Sequence, residues 1–261
     1  MNVRFVFSAI LVLACIAPAF AEKKTIDTSR LTPPVGVSEG NANGVPYRLY
    51  SNNMRAPVVR IKGVSQPMRL VLLARHDGNL APSDEITLLD SVARRLVVKK
   101  DAYYLVAIVG HRAREGGDWN GEGDKLVADY RHVYDHIKQR HPRISERNTA
   151  IGGISYAGFQ LGGRAAWDGW VTSLGGVVVI TAGIDSNWAA LKLQVPVVNR
   201  VCANDAGSDS PNGNAGGNNL MRLLPATVKP RSDAKTDLAC NDHTFRQQWA
   251  SELADGINRL F

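Results

Sequence analysis

The chain has 261 residues, 44% hydrophobic and 21% charged, which suits one α/β domain with a full core and leaves no comfortable room for two. Its formal net charge is +7, yet Lys and Arg are scattered without a run of five like charges, and none of the usual nucleic-acid modules is present. The basic balance therefore reads as solubility, or as a preference for anionic surfaces and polymers, rather than as nucleic-acid binding.

The N-terminus reads as an export signal over 1–21. Arg4 supplies the positive start, Phe5 to Ile16 the apolar run, and Ala19-Phe20-Ala21 a small-x-small cleavage site before Glu22. The apolar run is too short for an ordinary transmembrane helix. Acylation at Cys15 competes with cleavage, but Val12-Leu13-Ala14 fits a lipobox poorly and the apolar run continues past the cysteine. Cleavage after Ala21 is the expectation; it makes the chain periplasmic or secreted and, by removing Arg4, lowers the charge from +7 to +6.

Residues 22–46 are polar, contain Pro33-Pro34, and read as an extended lead-in. Tyr47–Tyr50 and Pro57–Lys62 read as early antiparallel strands, and Arg69–Ala74 as a buried strand. Asp84–Lys100 carries Ile86, Leu88, Leu89, Val92 and Leu96 at near-helical spacing. Ala102–Val109 is the next strand, and Asp124–His141 an amphipathic helix. The glycine-rich stretch 116–123 lacks both phosphate-loop patterns and reads as a rim loop. Asn148–Gly153 is a strand, Tyr156–Trp170 a helix, and Gly175–Thr181 and Val195–Ala203 are strands. Residues 204–219 read as a loop and Phe245–Leu260 as the closing helix. Strands alternating with helices after residue 69 imply a mostly parallel sheet, whose sites lie at the carboxyl ends of the strands.

Gly152-Gly153-Ile154-Ser155-Tyr156-Ala157-Gly158 lies between such a strand and a helix rich in small residues. A sharp strand-to-helix turn lifts a serine hydroxyl clear of the sheet and forces its neighbours to be small. A serine hydroxyl also needs a base within hydrogen-bond reach and a third group to orient that base. His243 is the only histidine after Ser155, and Asp205 lies between them at the end of another strand.

On these residues, in the order Ser…Asp…His, the chain resembles the α/β-hydrolase superfamily, and within it the secreted serine esterases without a large lid. The resemblance spans residues 47–261, read as the catalytic domain. It implies a three-layer sandwich of α/β class, with a mostly parallel central sheet flanked by helices. The family elbow G-x-S-x-G stands here as Gly153-Ile154-Ser155-Tyr156-Ala157, with alanine at the last glycine. The resemblance implies Ser155 as nucleophile, His243 as base and Asp205 as acid. Asp185, one strand earlier, is the alternative acid, and Asp209 and Asp242 are nearby. It also implies an oxyanion hole from the Tyr156 N–H and a second N–H in Arg75-His76-Asp77-Gly78-Asn79, given by Asp77 or Gly78. The family often has His-Gly where this chain has His-Asp-Gly.

Cys202 and Cys240 each stand three residues before a triad candidate, so contact between Asp205 and His243 would bring the cysteines close, and a disulfide is expected in an oxidising compartment. His76, His111, Trp119 and Trp188 are candidate cleft residues. His132 and His136 have a metal-binding spacing on a helix, but no suitable general base accompanies them, and no metal site is assigned.

The short segment between Thr181 and Val195, where cap domains are usually inserted in this superfamily, implies an open cleft. The resemblance thus implies a carboxylic-ester hydrolase acting through an acyl-enzyme without a cofactor, on a short acyl ester carried by a bulky or polymeric group. A peptidase or thioesterase would use the same triad. A second class of reading is an envelope binding or scaffold protein on a hydrolase fold that has lost catalysis, motivated by the departures at Ala157 and Asp77.

Overall fold

The computed structural model describes residues 35–52, 60–61, 64–65, 67–110, 119–205, 214–241 and 243–261. The expected export signal, His111, Asp209 and Asp242 lie outside these residues. Eight strands form the main sheet: β1 (Val35–Ala42), β2 (Val45–Asn52), β3 (Met68–Ala74), β4 (Tyr103–Val109), β5 (Thr149–Ile154), β6 (Gly176–Ile180), β7 (Val197–Ala203) and β8 (Asp233–Asn241). The helices are α1 (Asp84–Val97), α2 (Trp119–Arg140), α3 (Tyr156–Arg164), α4 (Ala189–Lys192), α5 (Gly217–Leu223) and α6 (Trp249–Arg259). The strand order is β1-β2-β4-β3-β5-β6-β7-β8. The β1–β2 and β2–β4 pairs are antiparallel, and every later pair is parallel.

Parallel strands covered on both faces read as continuous apolar runs, and Leu70–Ala74 and Val177–Ile180 are buried throughout. On one face Ile86, Leu88, Leu89, Val92 and Leu96 of α1 pack with Trp249, Leu253 and Ile257 of α6. On the other, α2 contributes Leu126, Tyr130, Val133 and Ile137, α3 contributes Ala157 and Leu161, and α5 contributes Leu220. Each such large apolar side chain contributes roughly 1.5–3 kcal/mol by leaving water. Among the described residues, no helix is long and apolar enough to cross a membrane.

The sheet begins earlier than the lead-in expected over 22–46. Residues 35–42 form β1 and pair along all of β2, with Ala42 opposite Val45. Asn43 and Gly44 between them have φ of 53° and 82°, the backbone of a tight two-residue hairpin that favours Asn-Gly. That dipeptide was the signal for the extra strand. His132 of α2 meets Asn43 at 3.3 Å and His136 packs edge-on to Tyr47, so these two histidines dock α2 on the hairpin.

Other boundaries also move. Of the strand expected over Pro57–Lys62, only Arg60–Ile61 is described as strand, paired with Val64–Ser65. Part of the rim loop expected over 116–123 is helix, since α2 starts at Trp119. Gly123 in that first stretch lies where a Cβ would collide with Arg164 and Gln160, so the glycine serves close packing. The helix expected to reach Trp170 stops at Arg164 after Gly162-Gly163, and the Asp168 carboxylate accepts from the N–H groups of Trp170 and Val171 to start a new turn. Within the loop expected over 204–219, Asn214–Ala215 pairs with Ile184–Asp185 and α5 starts at Gly217. The closing helix starts at Trp249 rather than Phe245. Strand β8 was not anticipated. It is an edge strand, exposed along much of its length, and carries no apolar run.

Candidate active site

The parallel register sets the site. Ala74 at the end of β3 is level with Gly153 of β5, and Ile154 is level with Ile180 at the end of β6. Residues immediately beyond these ends share one edge of the sheet. Ser155 follows β5 with φ 55° and ψ −123°, outside the region open to most side chains. Its N–H donates to Ile180 O at 2.8 Å, and its C=O accepts from Phe159 N–H at 3.0 Å, so strand and helix both hold the turn. Its hydroxyl makes no cap bond to α3.

The tightness of the turn explains its small residues. A Cβ on Gly153 would meet the Ala157 Cβ at 2.6 Å, and one on Gly158 would meet Gly153 O at 2.6 Å. Ala157 itself is fully buried in the core. Alanine at position 157 is therefore accommodated, with Gly153 making room for it.

His243 lies between β8 and α6, and its Nε2 is 2.9 Å from Ser155 Oγ. Its Nδ1 is 3.4 Å from Asp205 Oδ1, a long contact. The His243 side chain is 47% exposed whereas that of Asp205 is 1% exposed, so the imidazole is open to solvent and the carboxylate is not. Asp205 leaves β7 through Asn204, whose φ of 61° is tolerated by a short polar side chain. The His243 pKa is raised above the ordinary imidazole value of 6.5, first by the hydrogen bond to Asp205; burial opposes this, and the charges of Asp205 and Glu85 add to it.

The segment bearing His243 is tied down on both sides. Cys202 and Cys240 are disulfide-bonded. The β7–β8 ladder passes from Cys202 opposite Asp237 to Ala203 opposite Asn241, so Leu238 to Cys240 step out of register beside the bridge. The Asp237 carboxylate accepts from Trp249 Nε1 at 2.8 Å and faces Arg246 at 3.3 Å, so the start of α6 is fastened to β8. The bond from Trp249 holds the Asp237 pKa below its ordinary value.

The loop after β3 is pinned as well. The Asp77 carboxylate accepts from Asn79 N–H at 2.9 Å and lies 3.2 Å from Arg75 Nε. Gly78, with φ 69°, donates its N–H to Arg75 O at 3.3 Å. His76 Nδ1 is 2.8 Å from Glu85 Oε1, and Arg75 Nε pairs with the other oxygen of Glu85.

No family model matches the sequence, and no curated protein matches it. Solved structures do resemble the fold. S-formylglutathione hydrolase from Staphylococcus aureus is 11% identical, with 88% of this chain and 98% of that chain covered and a TM-score of 0.54. A bacterial heroin esterase is 15% identical, with 87% and 84% covered and a TM-score of 0.53. The chain has the α/β-hydrolase fold. A prolyl endopeptidase shares this fold at 11% identity and a TM-score of 0.51, with 87% of this chain and 37% of that chain covered.

On this hydrolase fold Asp205, rather than the alternative Asp185, faces His243. Asp185 accepts from Asn187 N–H at 2.9 Å in a local turn. Trp119 opens α2. Trp188 is 40% exposed, and the Lys192 ammonium lies 5.1 Å from its ring centroid, so one face of the indole is already taken. His76 is bound to Glu85 rather than standing alone. Phe245, which was not singled out from sequence, packs edge-on to His243 at 5.5 Å. Glu85, buried in the first turn of α1, was also missed. Its sequence signal was weak, because Ser83-Asp84-Glu85 reads simply as an acidic, capped helix start.

Proposed function

We propose that this chain is an exported serine hydrolase that cleaves a carboxylic ester through an acyl-enzyme. The observation that carries the reading is the 2.9 Å approach of His243 Nε2 to Ser155 Oγ on a left-handed turn. Geometry of this kind suits proton transfer from the hydroxyl as its oxygen attacks a carbonyl carbon. Asp205 accepts from Nδ1–H, selects the tautomer with a free Nε2, and stabilises the imidazolium. The imidazolium returns its proton to the leaving alkoxide. His243 then takes a proton from water, the hydroxide attacks the acyl carbon, and the acid departs as Ser155 is reprotonated.

The tetrahedral oxyanion is held by the N–H of Tyr156, the first residue of α3, and by that of Asp77. Asp77 is preferred to Gly78 because the Gly78 N–H donates to Arg75 O. The Asp77 carboxylate is engaged by Arg75 and Asn79, so its charge is directed to those partners rather than to the oxyanion. That arrangement, together with the fit of Ala157, speaks for the catalytic reading over the scaffold reading.

Cleavage after Ala21 would release the mature chain to the periplasm or exterior, and the Cys202–Cys240 disulfide is consistent with such a compartment. Between β6 and β7 lie one short strand and the single turn of α4. That supports a cleft without a cap domain, open to an ester on a bulky or polymeric carrier.

The test is hydrolysis of p-nitrophenyl acetate, butyrate and octanoate by the protein and by Ser155→Ala, with fluorophosphonate labelling alongside. Turnover and labelling lost in Ser155→Ala would support the reading. Equal rates in both proteins, or neither turnover nor labelling in the parent, would refute it.

A further inference from the structure

Glu85 is a buried carboxylate whose role the serine mechanism does not explain. It is 5% exposed, and an unpaired carboxylate at that depth would be costly. It is held at the start of α1, where the helix field favours negative charge, with Ser83 capping Ile86 N–H beside it. Both of its oxygens reach back to the loop that follows β3: one pairs with Arg75 and the other lies 2.8 Å from His76 Nδ1. Arg75 in turn touches the Asp77 carboxylate, and its C=O accepts from Gly78 N–H. One carboxylate thus holds two successive residues just before Asp77. On the other side, Gln247 Nε2 donates to Asp84 O at 2.9 Å, linking the same helix start to the segment after His243.

We propose that Glu85 is a positioning residue, which locks the β3–α1 loop so that the Asp77 N–H is presented to the oxyanion. This rests on the serine-hydrolase reading for its catalytic part. The loop lock itself does not depend on that reading. Loss of the lock leaves Ser155, His243 and Asp205 in place and acts on the transition state, where the oxyanion forms, more than on ground-state binding. The charge of Glu85 also supports the raised His243 pKa, together with Asp205.

The experiment uses the full-length protein, with Glu85→Gln, which keeps an acceptor but removes the charge, and Glu85→Ala. Amide hydrogen exchange at Gly78 and Asn79 reads the loop, and kcat and KM on p-nitrophenyl acetate read the chemistry. The expected result is faster exchange at both amides, a kcat lower by roughly tenfold or more, and a KM within about twofold of the parent. If the Glu85 variants do not fold, His76→Asn and Arg75→Gln remove the two contacts one at a time and are read the same way. Unchanged exchange would overturn the lock. Faster exchange with unchanged kcat would overturn its catalytic role. A parent protein without Ser155-dependent turnover would instead refute the hydrolase reading, and the exchange data would still decide the lock.

Discussion

Cys202 and Cys240 are bonded to each other, each three residues ahead of a member of the proposed triad, Asp205 and His243. The bridge joins the end of β7 to the bulged end of β8, so one covalent link spans the segments that carry Asp205 and His243. Within the sheet, β8 is an edge strand that pairs with β7.

Removing the bridge is expected to lower stability and activity together. For a sequence separation of 38 residues, chain entropy gives about 4 kcal/mol. Cys202→Ser with Cys240→Ser should shift the urea midpoint accordingly and reduce kcat more than it raises KM. A double variant with parent-like kcat would show that the two loops hold their spacing without the bond.

The pH dependence follows from His243. Its pKa lies above 6.5, chiefly because of the bond to Asp205, and the proposed mechanism needs the neutral ring. Activity should therefore fall with decreasing pH through a midpoint above 6.5. Asp205→Asn should lower the His243 pKa, followed by NMR titration, and reduce kcat by roughly 10³–10⁴-fold. The linked stability has the opposite direction. A pKa raised in the folded state means that folding favours the protonated ring; that contribution is full below the unfolded value and disappears as pH rises through the folded value. Urea unfolding should accordingly show Asp205→Asn costing more stability at pH 5.5 than at pH 9.

The elbow offers a steric test. Gly153→Ala places a Cβ against Ala157 and the backbone of Gly158, and should cost about 1–3 kcal/mol and displace Ser155. Ala157→Gly removes a buried methyl in a helix and should cost about 1 kcal/mol through propensity, with kcat within about twofold of the parent. Thermal melts and p-nitrophenyl acetate turnover separate the two outcomes.

Far from Ser155 in function, Arg200 is 1% exposed and donates to Asp233 Oδ2 at 2.9 Å, with Glu252 Oε2 at 3.2 Å. This ties the start of β8 to α6. Asp233→Ala leaves a buried guanidinium with, among the described residues, only the half-exposed Glu252 as its acid, and should cost roughly 3 kcal/mol in urea unfolding.

The elbow was legible in sequence because its constraint is local. A turn this tight accepts only small residues beside Ser155, and they are consecutive in the chain. The apolar runs of β3, β4 and β6 were legible for a similar reason: strands covered on both faces read as near-continuous apolar runs. β8 was not legible, because an edge strand with an exposed face needs no apolar pattern. The Asn43-Gly44 turn was a readable signal for β1, but the polar composition of residues 22–46 outweighed it.

Sequence by itself determined the fold class, the nucleophile candidate and the set of acids and bases that could serve it, since these rest on local periodicity, turn sterics and chain order. Tertiary structure decided which of them meet. Asp205 and Asp185 both follow strands, and only the packing of β7 against β8, with the disulfide across their ends, brings Asp205 rather than Asp185 to His243. The grip of Glu85 on Arg75 and His76 likewise arises across a turn of loop and helix that no periodicity encodes. Contacts of this kind depend on where independent segments are docked, and docking is set by the whole core.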